Sequence, residues 1–144
     1  MPVELRAAHA EDYDYCARLY FDAMTGIIRA LGLDMDAQRR SLRQSWVPAQ
    51  VRIITRRGLD IGWLQSTVLD DAVFLGQLYL DAAFRQQGIG TAVVRQIIGE
   101  AAADGRAVML GVVKINPALR LHRRLGFTVT GEDEHKIYMR REAA

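Results

Sequence analysis

Three features of this sequence predict a mixed α/β (α+β) fold: one mostly antiparallel sheet of about six to seven strands with flanking helices. Alternating or continuously apolar runs at 3–6, 51–55, 61–69, 72–80, 108–113, 127–130 and 137–139 read as strands. Apolar residues recur at helical spacing around 12–24, 37–46, 93–101 and 117–125. The resulting order, β-α-α-β-β-β-α-β-α-β-β, contains one strand–glycine turn–helix–strand unit, so one strand pair is parallel and its crossover right-handed.

Composition bounds the rest. The 144 residues fit a single domain spanning 1–144, and half of them are hydrophobic, enough for a substantial core. No apolar run reaches bilayer-spanning length, and the first residues lack the apolar centre of a signal peptide, so a soluble cytoplasmic protein with no membrane partner is expected. Cys16 is the only cysteine, which excludes an intrachain disulfide and a cysteine-based metal site. A net charge of +2 gives no reason to expect a nucleic-acid partner. Lys114 and Lys136 are the only lysines, and the arginine pairs at 39–40, 56–57, 123–124 and 140–141 read as solvated faces.

Taken in order, Val3-Glu4-Leu5-Arg6 alternates as a short strand. Glu11 and Asp12 then place acids in the first turn of a helix, where they complement its dipole. Tyr13, Cys16, Ala17, Tyr20, Phe21 and Met24 form the apolar stripe of that helix, which makes Cys16 a small core residue rather than a nucleophile. From Thr25 to Leu33 the pattern either extends the helix or bends at Gly26 and Gly32. Asp34 is an N-cap signal for a second helix over 37–46, and Pro48 stops it. Strands at 51–55, 61–69 and 72–80 follow as a meander, turning at 57–60 and 70–71; Gly76 suggests a bulge or a close backbone approach. Asp104-Gly105 closes the next helix, with Gly105 suited to the left-handed position after it. Pro117 suits the first turn of the last helix, and Gly126 ends it.

The stretch with the most chemistry is Arg85-Gln86-Gln87-Gly88-Ile89-Gly90-Thr91, between the apolar strand 72–80 and the helix after Gly90. The first amides of a helix have no partner within it, and the helix dipole adds partial positive charge there. Glycines at 88 and 90 keep side chains off those amides, so the turn suits a phosphate or pyrophosphate, with Arg85 and the amides of Gln86 and Gln87 completing the cradle. The plainer alternative is that the glycines only turn the chain and cap the helix. A dinucleotide fingerprint would need a third glycine where Val93 stands, and the Gly-Lys-Ser/Thr of a P-loop is missing.

The string from Leu78 to Gly90, with Arg85-x-x-Gly88-x-Gly90 at its centre, resembles motif A of the GNAT superfamily of N-acetyltransferases; Leu80, Ala82 and Phe84 stand where that motif has Val, Pro and Tyr. A second string, Asn116-Pro117-Ala118-Leu119-Arg120-Leu121-His122-Arg123-Arg124-Leu125-Gly126-Phe127, resembles the family's Asn-Pro-Ala-x-x-Leu-Tyr-x-x-x-Gly-Phe, in the right order and at the right separation. The resemblance implies a GNAT-like domain that uses acetyl-CoA as cosubstrate, needs no metal and acetylates a primary amine of a small molecule or peptide by direct attack in a ternary complex. It is compatible with a homodimer. Residues 85–91 would wrap the pyrophosphate, and the backbone of Leu78, Tyr79 and Leu80 would pair with the pantetheine arm where the flanking parallel strands splay.

The same resemblance assigns the remaining roles. Asn116 would bond the pantetheine amide; read locally, it is equally a helix N-cap before an N1 proline. The backbone N–H near Leu80 would hold the oxyanion. The acid that protonates the departing thiolate is usually a Tyr in the family, and His122 occupies its slot; an imidazole that only hydrogen-bonds is the alternative. No residue stands out as general base: Glu132, Asp133, Glu134, His135, Asp12, Tyr13 and Tyr20 all read as solvated or packing groups as readily. A non-catalytic acetyl-CoA sensor is therefore a second reading.

Overall fold

The computed structural model describes residues 2–114 and 118–143. It contains β1 (Glu4–Ala7), α1 (Tyr13–Ala30), α2 (Met35–Ser45), β2 (Val51–Arg56), β3 (Leu59–Val68), β4 (Ala72–Leu80), α3 (Ile89–Ala103), β5 (Ala107–Val113), α4 (Ala118–Arg124), β6 (Thr128–Glu132) and β7 (Lys136–Arg141). The strands form one seven-stranded sheet in the order β1-β2-β3-β4-β5-β7-β6. β4 and β5 run parallel, whereas β1–β2, β2–β3, β5–β7 and β6–β7 are antiparallel pairs. The element order is the one the sequence predicts. No helix among the described residues is long and apolar enough to cross a membrane.

The chain divides into two compact units, Met1–Gln65 with Gln77–Gln87 and Ser66–Gly76 with Gly88–Ala144. In the first, Cys16 and Leu19 of α1, Leu42 of α2, Trp46, and Val51, Ile53 and Trp63 of β2 and β3 form the buried core. Cys16 is 0% exposed, and burial pushes its thiol up to about 12, which fits a packing residue. Arg6 joins the start of α1 to the sheet: its guanidinium meets Asp12 at 3.1 Å and Asp60 at 2.9 Å. The hydrogen bond from Arg6 holds the Asp12 carboxyl below its ordinary range.

In the second unit Val93, Val94, Ile97 and Ala101 bury one face of α3, and Val108, Leu110 and Val112 are buried on β5. Each larger apolar side chain buried in this way contributes about 1.5–3 kcal/mol. The parallel ladder joins Ala72–Leu75 to Ala107–Leu110. α3 ends as the sequence predicts: Gly105 is left-handed at φ 70°, its N–H donates to the Ala102 carbonyl, and Arg106 N–H donates to the Ala101 carbonyl.

Two local readings are resolved or changed. α1 runs through Gly26 to Ala30, because continuing the helix buries Ile28, and Gly32 at φ 68° turns the chain only afterwards. The turn expected over 57–60 is confined to Arg57-Gly58, both at positive φ (54° and 76°), so Leu59 and Asp60 already belong to β3. A close backbone approach that the sequence does not single out occurs at Gly62, where a Cβ would lie 2.5 Å from the Tyr79 carbonyl oxygen.

Candidate active site

β4 delivers Leu78, Tyr79 and Leu80 at its C-terminal end. The Asp81 N–H donates to the Ile61 carbonyl at 2.8 Å, so by strand alternation the backbone groups of Tyr79 also face β3. Those of Leu78 and Leu80 then point to the other side of the strand. The Leu80 carbonyl is already engaged, accepting a hydrogen bond from Arg85 Nε at 3.1 Å. Arg85 thus clamps the strand end, and its two Nη atoms have no partner among the described residues.

A single 3₁₀ turn, Ala82–Phe84, replaces the plain loop expected here. Asp81 caps it, its carboxylate accepting from Ala83 N–H at 3.1 Å. Gln87 is tied back on both sides of its amide: Nε2 donates to the Ala83 carbonyl at 3.0 Å, and Oε1 accepts from Arg56 at 3.4 Å. Sequence reasoning does not single out Asp81 or assign Arg56 to this turn; only the Asp-x-Ala pattern before the turn is a local signal for the former.

From Gln86 onwards the backbone itself shapes the site. Gln86 is held at φ 61°, a left-handed conformation that costs a non-glycine residue about 1–2 kcal/mol, and Gly88 is left-handed too, at φ 79°. A Cβ on Gly88 would meet nothing within 4 Å, so protein packing alone does not demand the missing side chain. Gly88 is the N-cap of α3, and the first helical bond runs from Ala92 N–H to the Gly88 carbonyl. The amides of Ile89, Gly90 and Thr91 precede that bond and have no intrahelical acceptor. No acidic residue lies in the first turn of α3 to compete for them. Gly90 lies inside the helix, and Ile89 anchors the turn with a buried side chain.

His122 lies on α4, half-buried, with its ring edge-to-face with Phe127 at 5.7 Å. Its Nδ1 is buried without a hydrogen-bond partner among the described residues. Burial lowers its pKa, so the neutral ring predominates at pH 7. Asn116 and Pro117 lie outside the described residues. The acidic candidates at the β6–β7 turn are exposed, and Asp133 is held at about 2, first by the Tyr138 hydroxyl and then by the amides of Lys136 and His135. So acidic a carboxylate is a weak base. Asp12 is committed to Arg6. No group of three or more His, Cys, Asp or Glu among the described residues is placed to hold a metal ion.

Residues 60–127, which include nearly all of β3, then β4, the turn, α3, β5 and α4, match the model of the acetyltransferase (GNAT) family. That stretch, just under half of the chain, is similar to the acetyltransferase domain of this family. No curated protein matches the chain in sequence. Among solved structures it is similar to the PaiA N-acetyltransferase from Thermoplasma acidophilum in complex with coenzyme A (TM-score 0.78, 16% identity, 99% of each chain covered). It is also similar to an acetyltransferase from Thermus thermophilus (TM-score 0.76, 16% identity, 99% and 97% covered). The ribosomal-protein-S18-alanine N-acetyltransferase from Escherichia coli is another (TM-score 0.73, 16% identity, 99% and 95% covered). At such identities the likeness is one of fold. The GNAT family match spans the whole glycine turn.

Proposed function

We propose that this protein transfers the acetyl group of acetyl-CoA to a primary amine, by direct attack of the amine on the thioester carbonyl in a ternary complex. The observation that carries this reading is the turn at Gln86–Gly88, where two left-handed residues and an unfilled space in front of Gly88 leave the first amides of α3 open to an anion. Arg85 and residues 86–91 would hold the pyrophosphate, the main chain of Leu78–Leu80 the pantetheine amides, and Asn116 a further amide.

In the reaction the amine nitrogen bonds to the carbonyl carbon, the oxyanion takes the Leu80 N–H, and the carbon–sulfur bond breaks to release a thiolate. The imidazolium form needed of a true general acid is disfavoured by the burial of His122. Its role is therefore to donate an N–H hydrogen bond to the departing sulfur, with solvent completing the protonation. The acceptor ammonium loses one proton to water before attack, and its nitrogen loses a second as the amide forms, which balances the proton the thiolate takes from solvent; a water-lined route suffices for both.

The test has two stages. Acetyl-CoA and desulfo-CoA should both raise the melting temperature, with a stabilisation of about 2.7 kcal/mol at a hundredfold excess over the dissociation constant. A panel of amines, polyamines, amino acids and free-amino-terminal peptides should then reveal acetyl-CoA consumption. An unmoved melting curve would overturn the binding assignment; binding without turnover of any amine would make the protein a coenzyme sensor.

A further inference from the structure

Within the first unit, an unbroken chain of ring contacts leads away from the C-terminal end of β4. Tyr79 packs edge-on against Tyr20 of α1 at 5.3 Å, and Tyr20 against Phe21 at 4.9 Å. The Arg39 guanidinium of α2 lies over the Phe21 ring at 5.8 Å. All three aromatic residues are half-buried, with one side packed against the core of this unit and part of each ring left accessible. Beyond Phe21 stand three arginines of α2. Arg43 is stacked over Tyr13 at 4.2 Å, one helical turn from the exposed Arg40, which has no partner among the described residues. Arg39 is 62% exposed and bonded at 2.8 Å to Asp36, the one acidic residue of this helix, so the ridge retains a net positive charge. Stacking holds two of the guanidinium groups in place before any ligand arrives, which lowers the cost of ordering them on an anion.

We infer that the acceptor is the free amino terminus of a peptide whose following residues are acidic. This rests on the transferase reading, which puts the reacting amine at the end of β4. From there the steps of 5.3, 4.9 and 5.8 Å to Arg39 are covered by about four extended residues together with the reach of an acidic side chain. The amine enters at Tyr79, the intervening chain crosses the Tyr20–Phe21 pair, and carboxylates at about the fourth residue and beyond meet Arg39, Arg40 and Arg43 as charge-assisted hydrogen bonds. A compact amine would leave the arginine ridge unused.

The experiment compares three short peptides with a common free amino terminus and apolar second and third residues, followed by three Glu, three Gln or three Lys. The Glu peptide should show kcat/KM about tenfold above the Gln peptide, as expected for a few exposed ion pairs acting together, chiefly through KM. That preference should collapse near 0.5 M salt, where the screening length falls to roughly 4 Å. Arg40→Glu, which breaks no internal contact, should erase the preference for Glu and lift the Lys peptide, and Arg43→Glu should do the same if it folds. Equal kcat/KM for Glu and Gln, or a preference untouched by Arg40→Glu, overturns the inference while leaving the transferase reading intact. Turnover of small amines without any peptide has the same meaning. Silence of every amine, with the acetyl-CoA melting shift present, overturns both.

Discussion

His122 shows how one side chain's environment decides its chemistry. Protonating it means charging a half-buried ring, and burial opposes that. With a folded pKa below the unfolded value, the unfolded state binds more protons in the interval between them, so stability falls as pH drops below about 6.5. His122→Leu should flatten that decline in melting temperature between pH 6.5 and 5. For activity, loss of an N–H donor to the leaving sulfur should lower the single-turnover rate of His122→Ala by about 10²–10³, as for other oxyanion-type donors. Because the neutral ring is the working form, the wild-type rate should not climb as pH is lowered from 7; a rate rising towards acid would mark a true imidazolium acid instead. Gly88 makes a second residue-scale case. Asn tolerates the left-handed conformation better than other residues with a side chain, and open space faces this position. Gly88→Asn should therefore melt near wild type while its side chain fills the space meant for phosphate, weakening coenzyme binding at least tenfold by calorimetry. Normal binding would reduce the glycine to a helix cap.

At the scale of elements, termini carry much of the specificity. Asp34 caps α2 by accepting from Ala37 N–H at 3.0 Å, and Asp34→Ala should cost about 1 kcal/mol in a denaturant titration. β4, α2 and the helix after the glycine turn are legible in the sequence because apolar period, cap residue and glycine agree there. α1 is less so, since Gly26 signals a break locally and only tertiary burial of Ile28 overrides it. The turn at 82–84 and the close approach at Gly62 are invisible beforehand, because each depends on a partner distant in sequence or on a side chain folding back, as with Arg85 on Leu80. The glycines and Arg85 are recognisable from spacing; the clamp of Arg56 on Gln87 and the ring path from Tyr79 to Arg39 depend on tertiary placement.

For the whole molecule, the strand order leaves β1 and β6 as the two outer strands of the sheet. The exposed face is more vulnerable at β6: all five residues are open to solvent, Val129 among them at 46%. Thr130 has no opposite number, since Val129 pairs with Met139 and Gly131 with Tyr138, and the strand is locally kinked there. That one extra residue works as a guard on colloidal behaviour. A straight, threonine- and valine-bearing border with unpaired amides is a template on which other chains can zip up, and the kink denies it a regular hydrogen-bond spacing. Deleting Thr130 should straighten the border, and light scattering of concentrated samples should then report growth of β-rich aggregates from a protein whose thermal midpoint has hardly moved. A variant that stays monodisperse would show that the short length of β6 and the charge of Glu132 already suffice. The residue whose contribution to folding looks most dispensable would thus set how long the protein survives in a crowded solution.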